Sequence, residues 1–277
     1  MFDLAALDAE FAGTVFAGKL HFAHVTGSTN SDAIAAARNA GPHGSVFFAD
    51  EQLAGRGRGG HGWISSAGEG LYVSLLLRPQ IPASCLPLLP LAAGLAAAQA
   101  IRAVSGLAPS PGLELAGPAG LETDLRWPND LLIGPRKTGG ILVEANLESK
   151  SLPYAVVGIG INVHQRVFPP GLATPATSLD LEAGRHISRQ SLLAALLKSL
   201  EREASALADP AAAATIPARV EQASTWTRGR SVLVLGPQSC QGVTAGLDEN
   251  GFLRVETAHG LITVQTGGLR ERSASGP

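Results

Sequence analysis

Apolar positions recur along the 277 residues in two periods, and the way the periods alternate predicts the elements. Residues 2–11 fit a short amphipathic helix and 21–25 a strand. The small polar run Thr26-Gly27-Ser28-Thr29-Asn30 then offers hydroxyl and amide caps to a helix from Ser31 to Ala40, which Gly41-Pro42 ends. Strands are predicted over 45–49 and 71–77, and an alanine-rich helix from Pro87 to Val104. Residues 108–120, rich in Pro and Gly, read as a surface excursion. A strand over 121–127, a turn at Pro128-Asn129-Asp130, and strands over 131–133 and 140–147 follow, the last two joined by a loop over 134–139. After an apolar strand at 155–163, Ser188 caps a long helix through Leu207, whose Leu192, Leu193, Leu196, Leu197 and Leu200 recur at helical spacing.

A second helix ends near Thr225, and beyond it the period falls to two. Short strands are predicted over 231–235, 241–247, 252–256 and 261–266, with Asp248-Glu249-Asn250-Gly251 as a hairpin turn. These last fifty or so residues suggest a small β-barrel as a separate domain, with a frayed tail at 273–277.

Between the strands at 45–49 and 71–77 lies Gly55-Arg56-Gly57-Arg58-Gly59-Gly60-His61-Gly62-Trp63. Glycine lets a backbone approach a ligand closely, and arginine offers planar, permanently charged donors suited to carboxylate and phosphate. A loop of this make-up can close over an anion, or it can be a plain mobile surface loop. Gly55, Gly57 and Gly60 satisfy the spacing of a dinucleotide-binding turn, but that turn must open a helix, and the residues after Trp63 have no helical period. The dinucleotide reading fails on context.

Composition narrows the partners. Twenty-one Lys and Arg against 23 Asp and Glu give a net charge of -2, which argues against a general nucleic-acid surface. Two distant cysteines, Cys85 and Cys240, have no metal or redox spacing and read as reduced thiols of a cytoplasmic protein. The N-terminus lacks a basic leader, and Pro82, Pro87, Pro90, Gln99 and Arg102 interrupt the apolar stretch over 81–104, so neither export nor a membrane span is expected.

Three further segments hold chemistry: Arg126-Trp127-Pro128-Asn129-Asp130, then Arg136-Lys137-Thr138-Gly139-Gly140-Ile141-Leu142-Val143-Glu144, then Gly158-Ile159-Gly160-Ile161-Asn162. Taken singly each has a plain structural reading. Lys137 can be a solvated turn lysine, Trp127-Pro128 a core plug, Asn162 a turn former and Asp130 a cap on its own turn. Taken in order, with Ser28-Thr29-Asn30 and the glycine loop, they resemble the biotin protein ligases. That family carries a Gly-Arg-Gly-Arg loop ending near Trp, a basic residue before Trp-Pro-Asn-Asp, a Lys before Gly-Ile-Leu-x-Glu, and Gly-x-Gly-Ile-Asn. Gly59 and His61 depart from it, standing where basic residues are common.

The resemblance implies an α+β fold: a mixed sheet with helices like that of class II aminoacyl-tRNA synthetases over residues 1–226, binding biotin and ATP, then an SH3-like barrel over 227–277. It implies a ligase that makes biotinyl-5'-AMP, with Mg²⁺ assisting, and transfers biotin to a lysine of the carboxyl carrier domain of a biotin-dependent carboxylase. Only about 20 residues precede the first strand, so no DNA-binding domain and no operator binding are expected, in a monomer or a homodimer. Lys137 matches the lysine that contacts the biotin carboxylate and the phosphoryl oxygen. Asp130 matches a residue placed to orient or deprotonate the incoming amine, whose ordinary pKa is about 10.4. Ser28, Thr29, Asn30 and Gln52 match the biotin side, with Gly55, Arg56, Gly57, Arg58 and Gly140. Arg56, Arg58, Trp63, Arg126, Asn129, Lys137, Gly160 and Asn162 match the ATP side, Trp63 stacking over ligand, and Arg272 a loosely aligned arginine near the nucleotide. Lys137, Asp130 and Arg58 are the expected catalytic set. The competing readings are a lipoate or octanoate protein ligase and a non-catalytic biotin-binding module.

Overall fold

The computed structural model describes residues 2–78, 83–106, 123–146 and 153–272. The predicted excursion over 108–120 and the tail over 273–277 lie outside them. In chain order the elements are α1 (Leu4–Glu10), β1 (Leu20–Thr26), α2 (Thr29–Arg38), β2 (Ser45–Gln52), β3 (Gly70–Leu77), α3 (Leu89–Ser105), β4 (Thr123–Arg126), β5 (Asp130–Ile133), β6 (Arg136–Asn146) and β7 (Tyr154–Asn162). Then come α4 (Leu179–Ala183), α5 (Arg189–Ala208), α6 (Pro210–Ala213), α7 (Ile216–Gln222), β8 (Arg228–Leu235), β9 (Cys240–Leu247), β10 (Leu253–Thr257), β11 (Gly260–Val264) and β12 (Gly268–Glu271).

Seven strands form one mixed sheet in the order β1-β2-β3-β7-β6-β5-β4. Only β1 and β2 run parallel, because helix α2 carries the chain back between them; the other neighbours are antiparallel. Every residue of β3 is buried, as its unbroken apolar run requires of a central strand. Helices α3 and α5 pack together over this sheet. Alanines along α3 let the two axes approach, and Leu192, Leu193, Leu196, Leu197 and Leu200 of α5 are all buried. Burying each such leucine stabilises the fold by roughly 1.5–3 kcal/mol before chain entropy is counted. Residues 84–105 are long and apolar enough to cross a membrane, yet they are mostly buried here and serve as core.

The remaining strands make a five-stranded antiparallel sheet in the order β11-β10-β9-β8-β12. Asp248 shapes the β9–β10 turn as expected, its Oδ1 accepting from the N–H groups of Asn250 and Phe252. That turn reaches the larger sheet: the buried indole N–H of Trp127 donates to the Gly251 carbonyl at 3.0 Å. Trp127 is therefore core, and it also ties the two sheets.

Some boundaries differ from expectation for identifiable reasons. Helix α3 starts at Leu89 behind a 3-10 turn over 83–88, since Pro90 suits a first helical turn. Helix α2 starts two residues early, so Thr29 and Asn30 lie inside it, and Ser28 occupies the cap position without a side-chain cap bond. The expected loop over 134–139 is shorter, and Lys137, Thr138 and Gly139 belong to β6. Strand β12, missed in the sequence, has four residues with no β-branched member to signal it.

Trp127→Phe keeps an aromatic ring in the core but removes the bond to Gly251 and part of the side-chain volume. It should lower stability by about 1–2 kcal/mol, read as a shift in urea midpoint with an unchanged slope.

Candidate active site

A bulge in the β5–β6 pair builds the centre of the site. Leu131 faces Gly139 but Leu132 faces Lys137, so the register slips by one residue at Thr138. The slip brings the Lys137 ammonium 2.5 Å from Asp130 Oδ1 on the neighbouring strand. Arg126, at the end of β4 and 5% exposed, reaches the other oxygen of Asp130 at 2.6 Å and the Thr174 hydroxyl at 2.9 Å. Burial by itself would raise the pKa of Asp130; the Lys137 and Arg126 cations override it and hold the carboxyl below its usual range.

Beside this cluster a narrow cavity of about 50 Å³ opens, lined by Ser28, Thr29, Asn30 and Gln52 on one side and by Val73, Ile141, Leu142 and Ile159 beneath. Thr29, Asn30 and Gln52 of its polar wall are joined by hydrogen bonds. Gln52 Oε1 accepts from the Thr29 N–H at 2.8 Å and from its hydroxyl at 3.1 Å, while Gln52 Nε2 donates to Ser65. Ser74, buried on β3, donates to Asn30 Oδ1 and stands 2.7 Å from the Thr29 hydroxyl. Asn30 in turn donates to Glu144 at 2.8 Å, and Glu144 takes two bonds from Arg56 at 2.9 and 3.1 Å. The residues expected to cap α2 are thus held inward as a rigid donor and acceptor array. Ser74 is a site residue that the sequence did not disclose, because serine in an apolar strand reads as filler; Glu144 stood in a quoted motif without a role.

The glycine loop is an ordered arch. Gln52 pairs with Ser65 and Arg56 with Gly62 as isolated bridges, and the Trp63 N–H donates to the Gly55 carbonyl. A Cβ on Gly55 would sit 2.4 Å from the Trp63 carbonyl, so this position closes the arch, and Gly55 itself is not among the residues lining either space. Strand β7 carries the complementary gaps. A Cβ on Gly158 would meet Asn30 Oδ1 at 2.1 Å, and one on Gly160 would meet the Trp63 ring at 2.6 Å. The two glycines leave room on the strand face for Asn30 and for the indole, over which Lys137 lies 5.4 Å from the ring centroid. The indole N–H of Trp63 is buried with no hydrogen-bond partner among the described residues.

Outside the narrow cavity lies a cleft of about 650 Å³ between the arch, the 168–176 segment and the β8–β9 and β11–β12 turns. Gly57, Arg58, Trp63, Asn129 and Lys137 line both spaces and so stand at the passage between them. Of the expected biotin set, Ser28, Thr29, Asn30, Gln52, Arg56, Gly57, Arg58, Lys137 and Gly140 line the inner cavity. Of the expected ATP set, Arg58, Trp63, Arg126, Asn129, Lys137 and Asn162 line the cleft, whereas Arg56 and Gly160 line the inner cavity alone. The amide of Asn129 donates to the Ile141 carbonyl and that of Asn162 to the Thr177 carbonyl, so both shape the walls. Arg58 donates to the Gly267 carbonyl and the Thr266 hydroxyl, latching the arch to the β11–β12 turn. Burial draws its guanidinium pKa down, with Asp130 opposing.

The arginine of the last strand that lines the cleft is Arg270; Arg272 is exposed beyond the strand. Among the described lining residues Asp130 is the one carboxylate, and two cations already share it. These residues do not form a protein cage for Mg²⁺, which favours one or two free carboxylates with substrate phosphates.

Residues 23–162 match the model of the biotin/lipoate A/B protein ligase family. The bifunctional ligase/repressor BirA of Bacillus spizizenii is 35% identical over 248 residues, spanning 87% of this chain and 70% of that protein. The biotin–[acetyl-CoA-carboxylase] ligase of Mycobacterium tuberculosis is 33% identical over 247 residues, 87% of this chain and 85% of that one. The solved biotin protein ligase from Aquifex aeolicus in complex with biotin and ATP superposes with a TM-score of 0.75 at 28% identity, over 92% of this chain and 99% of that chain.

The depressed pKa of Asp130 has a sign that can be checked. Its folded value lies below the unfolded one, so its ion pairs stabilise the fold above about pH 4 and the contribution fades as pH falls through the folded value. Urea midpoints measured against pH should show a shallower acid-side fall in Asp130→Asn than in the parent.

Proposed function

Because the chain belongs to the biotin/lipoate A/B protein ligase family, we infer that its cavity and cleft convert biotin and ATP to biotinyl-5'-AMP and then hand the biotinyl group to one lysine of a biotin carboxyl carrier domain. The observation that carries this reading is the position of Lys137. Its ammonium stands where a hydrogen-bonded inner cavity opens into a cationic cleft, so one charge serves both reactants. In the first step a biotin carboxylate oxygen attacks the α-phosphorus and pyrophosphate leaves. In the second, the carrier amine attacks the acyl carbon, loses a proton and releases AMP.

The Ser28, Thr29, Asn30 and Gln52 wall supplies donors and acceptors for a ureido ring, over an apolar floor suited to the bicycle and its chain. Lys137 then meets the carboxylate and the α-phosphate together, which converts their encounter to an oriented one and stabilises the charge that gathers. Asp130 acts by holding Lys137 and Arg126 in place. A carboxylate kept ionised by two cations is a weak base, so orientation accounts for it better than amine deprotonation does. Mg²⁺ accompanies ATP on its phosphates, and no residue of the chain is assigned to it.

The seven-stranded sheet with its helices supports reading residues 1–226 as a catalytic domain of the class II synthetase type, and the five-stranded sheet supports an SH3-like module over 227–277. The free thiols of Cys85 and Cys240 fit a reducing cytoplasm. The inner cavity is far smaller than the roughly 300–1,000 Å³ of ordinary ligand sites. Trp63 therefore has to leave Gly160 as ligand enters, and its unpartnered N–H makes that departure cheap. Once the arch closes again, the Arg58 latch keeps water from the acyl-adenylate.

Biotin-dependent exchange of pyrophosphate into ATP tests the reading. Lys137→Ala should lower its rate on the order of 100- to 1000-fold while leaving the circular dichroism unchanged; lipoate in place of biotin should support no exchange. Near-normal exchange in Lys137→Ala would reject the assignment. Arg58→Gly should release the adenylate, seen as biotin label on bystander lysines of an added protein that carries no carrier domain, and label confined to the carrier would sink the latch.

A further inference from the structure

Two histidines and an aspartate that the reaction does not use converge on one another outside the lining of either space. His164 follows β7, Asp180 lies in the first turn of α4, and His186 follows that helix. The Nδ1 atom of His164 is 2.9 Å from Asp180 Oδ2, and the Nδ1 atom of His186 is 3.4 Å from the same oxygen. The two imidazoles stack with centroids 4.4 Å apart and planes 13° from parallel. One donor atom from each of the three residues falls within 4.8 Å of the others.

We propose that His164, His186 and Asp180 form a binding site for a divalent transition-metal ion of the Zn²⁺ kind, with solvent completing the coordination. Zn²⁺ holds imidazole nitrogen and carboxylate oxygen at about 2.0–2.2 Å, so donors on one tetrahedral ion stand about 3.3 Å apart. The two histidine-to-Asp180 separations bracket that spacing, and the exposed His186 ring has to turn out of its stack with His164 to bring its nitrogen onto the same ion. Two imidazoles with one carboxylate suit zinc, copper or nickel and not Mg²⁺, which prefers all-oxygen sites. The support expected around a ligand carboxylate is in place: Asp180 Oδ1 accepts from the Ile187 N–H at 2.8 Å, leaving Oδ2 for the ion. Backbone bonds from His164 to Glu69 and from Asp180 to Val163 hold both residues in position. The His186 side chain is 76% exposed, so it can swing to admit a hydrated ion and close on it.

The site's place in the chain tells what it does. His164 and Asp180 bracket residues 165–179, and within that stretch Phe168, Pro169, Leu172 and Thr174 wall the outer cleft. Thr174 also takes the hydrogen bond from Arg126. An ion joining His164 to Asp180 and His186 clips the base of this wall, and closing a loop by a metal stabilises the state in which the clip is formed.

The test uses the full chain, stripped of metal with a chelator and then dialysed. Zn²⁺ titrated by calorimetry should bind with one equivalent and a Kd in the micromolar range, and Co²⁺ should give a visible absorption band. The melting midpoint should rise with Zn²⁺ and not with Mg²⁺. His186→Ala, altering an exposed side chain outside the reaction, should weaken Zn²⁺ binding at least about tenfold and remove the midpoint shift; His164→Ala with His186→Ala should abolish both. No binding at sub-millimolar Zn²⁺ would leave the three residues as a hydrogen-bonded cluster only, and equal affinity in His186→Ala would place any bound ion elsewhere. Either result overturns the proposal.

Discussion

The carboxylate of Asp130 is the constraint from which the site follows. It stands between the guanidinium of Arg126 and the ammonium of Lys137, largely out of solvent, on the strand pair that the Thr138 bulge brings into register. A buried ion pair of this kind is weak evidence for stability, because desolvating three charges offsets most of their attraction. What it supplies is position. Without the bulge Lys137 would face along the hairpin toward solvent, as its turn-like sequence suggests. With it, the ammonium is aimed at the passage between the two spaces, and the cost of reorganising it has been met during folding.

The second constraint is the missing side chains of β7. Gly158 and Gly160 sit on one face of a central strand, where residues of ordinary size would exclude both Asn30 and Trp63. Their absence creates a slot that the chain fills for itself: Asn30 takes one gap and joins the Ser74 and Glu144 network, and the Trp63 indole takes the other. The first filling is stable, since every polar atom of Asn30 is matched. The second leaves a buried N–H with no partner among the described residues, a state that costs roughly 1–3 kcal/mol. Two glycines two residues apart thus give one fixed wall and one movable stopper. A ligand that displaces the indole binds against an arrangement already short of a hydrogen bond, which lowers the opposing energy of opening.

This division also marks what was legible in the sequence. The helical leucines of α5, the apolar run of β3 and the Asp248 turn were readable, because periodicity and turn chemistry are local. The site residues Ser28, Thr29, Asn30, Gln52, Lys137 and Arg58 were named through ordered motifs, and they line one connected space. Three things could not be read from local pattern alone, for physical reasons. Ser28 to Asn30 also read as caps, since the same hydroxyls and amides that suit a helix end suit a ligand, and periodicity does not decide between the two. Lys137 taken singly also read as a turn residue, since a bulge has no sequence period, and in both cases it was the ordered motifs that named them. Arg270 was passed over for Arg272, since both have the parity of a strand face and only the end of β12 separates them.

The cations of the site differ in what they would have to give up. Arg56 is about half exposed and paired with Glu144, an arrangement worth only about 0–1 kcal/mol, so an incoming carboxylate or phosphate can take it over with little loss. Lys137 and Arg126 are shared with a carboxylate that stays ionised, and are therefore committed in place. Among the described residues Arg58 hydrogen-bonds to a backbone carbonyl and a hydroxyl, and the nearby Asp130 carboxylate, already shared by Lys137 and Arg126, offsets its charge in part. Its acceptors belong to the β11–β12 turn, and the Trp127–Gly251 bond fixes the same small sheet to the catalytic one from the other side. A charge that must choose between that turn and a phosphate makes closure depend on what occupies the cleft.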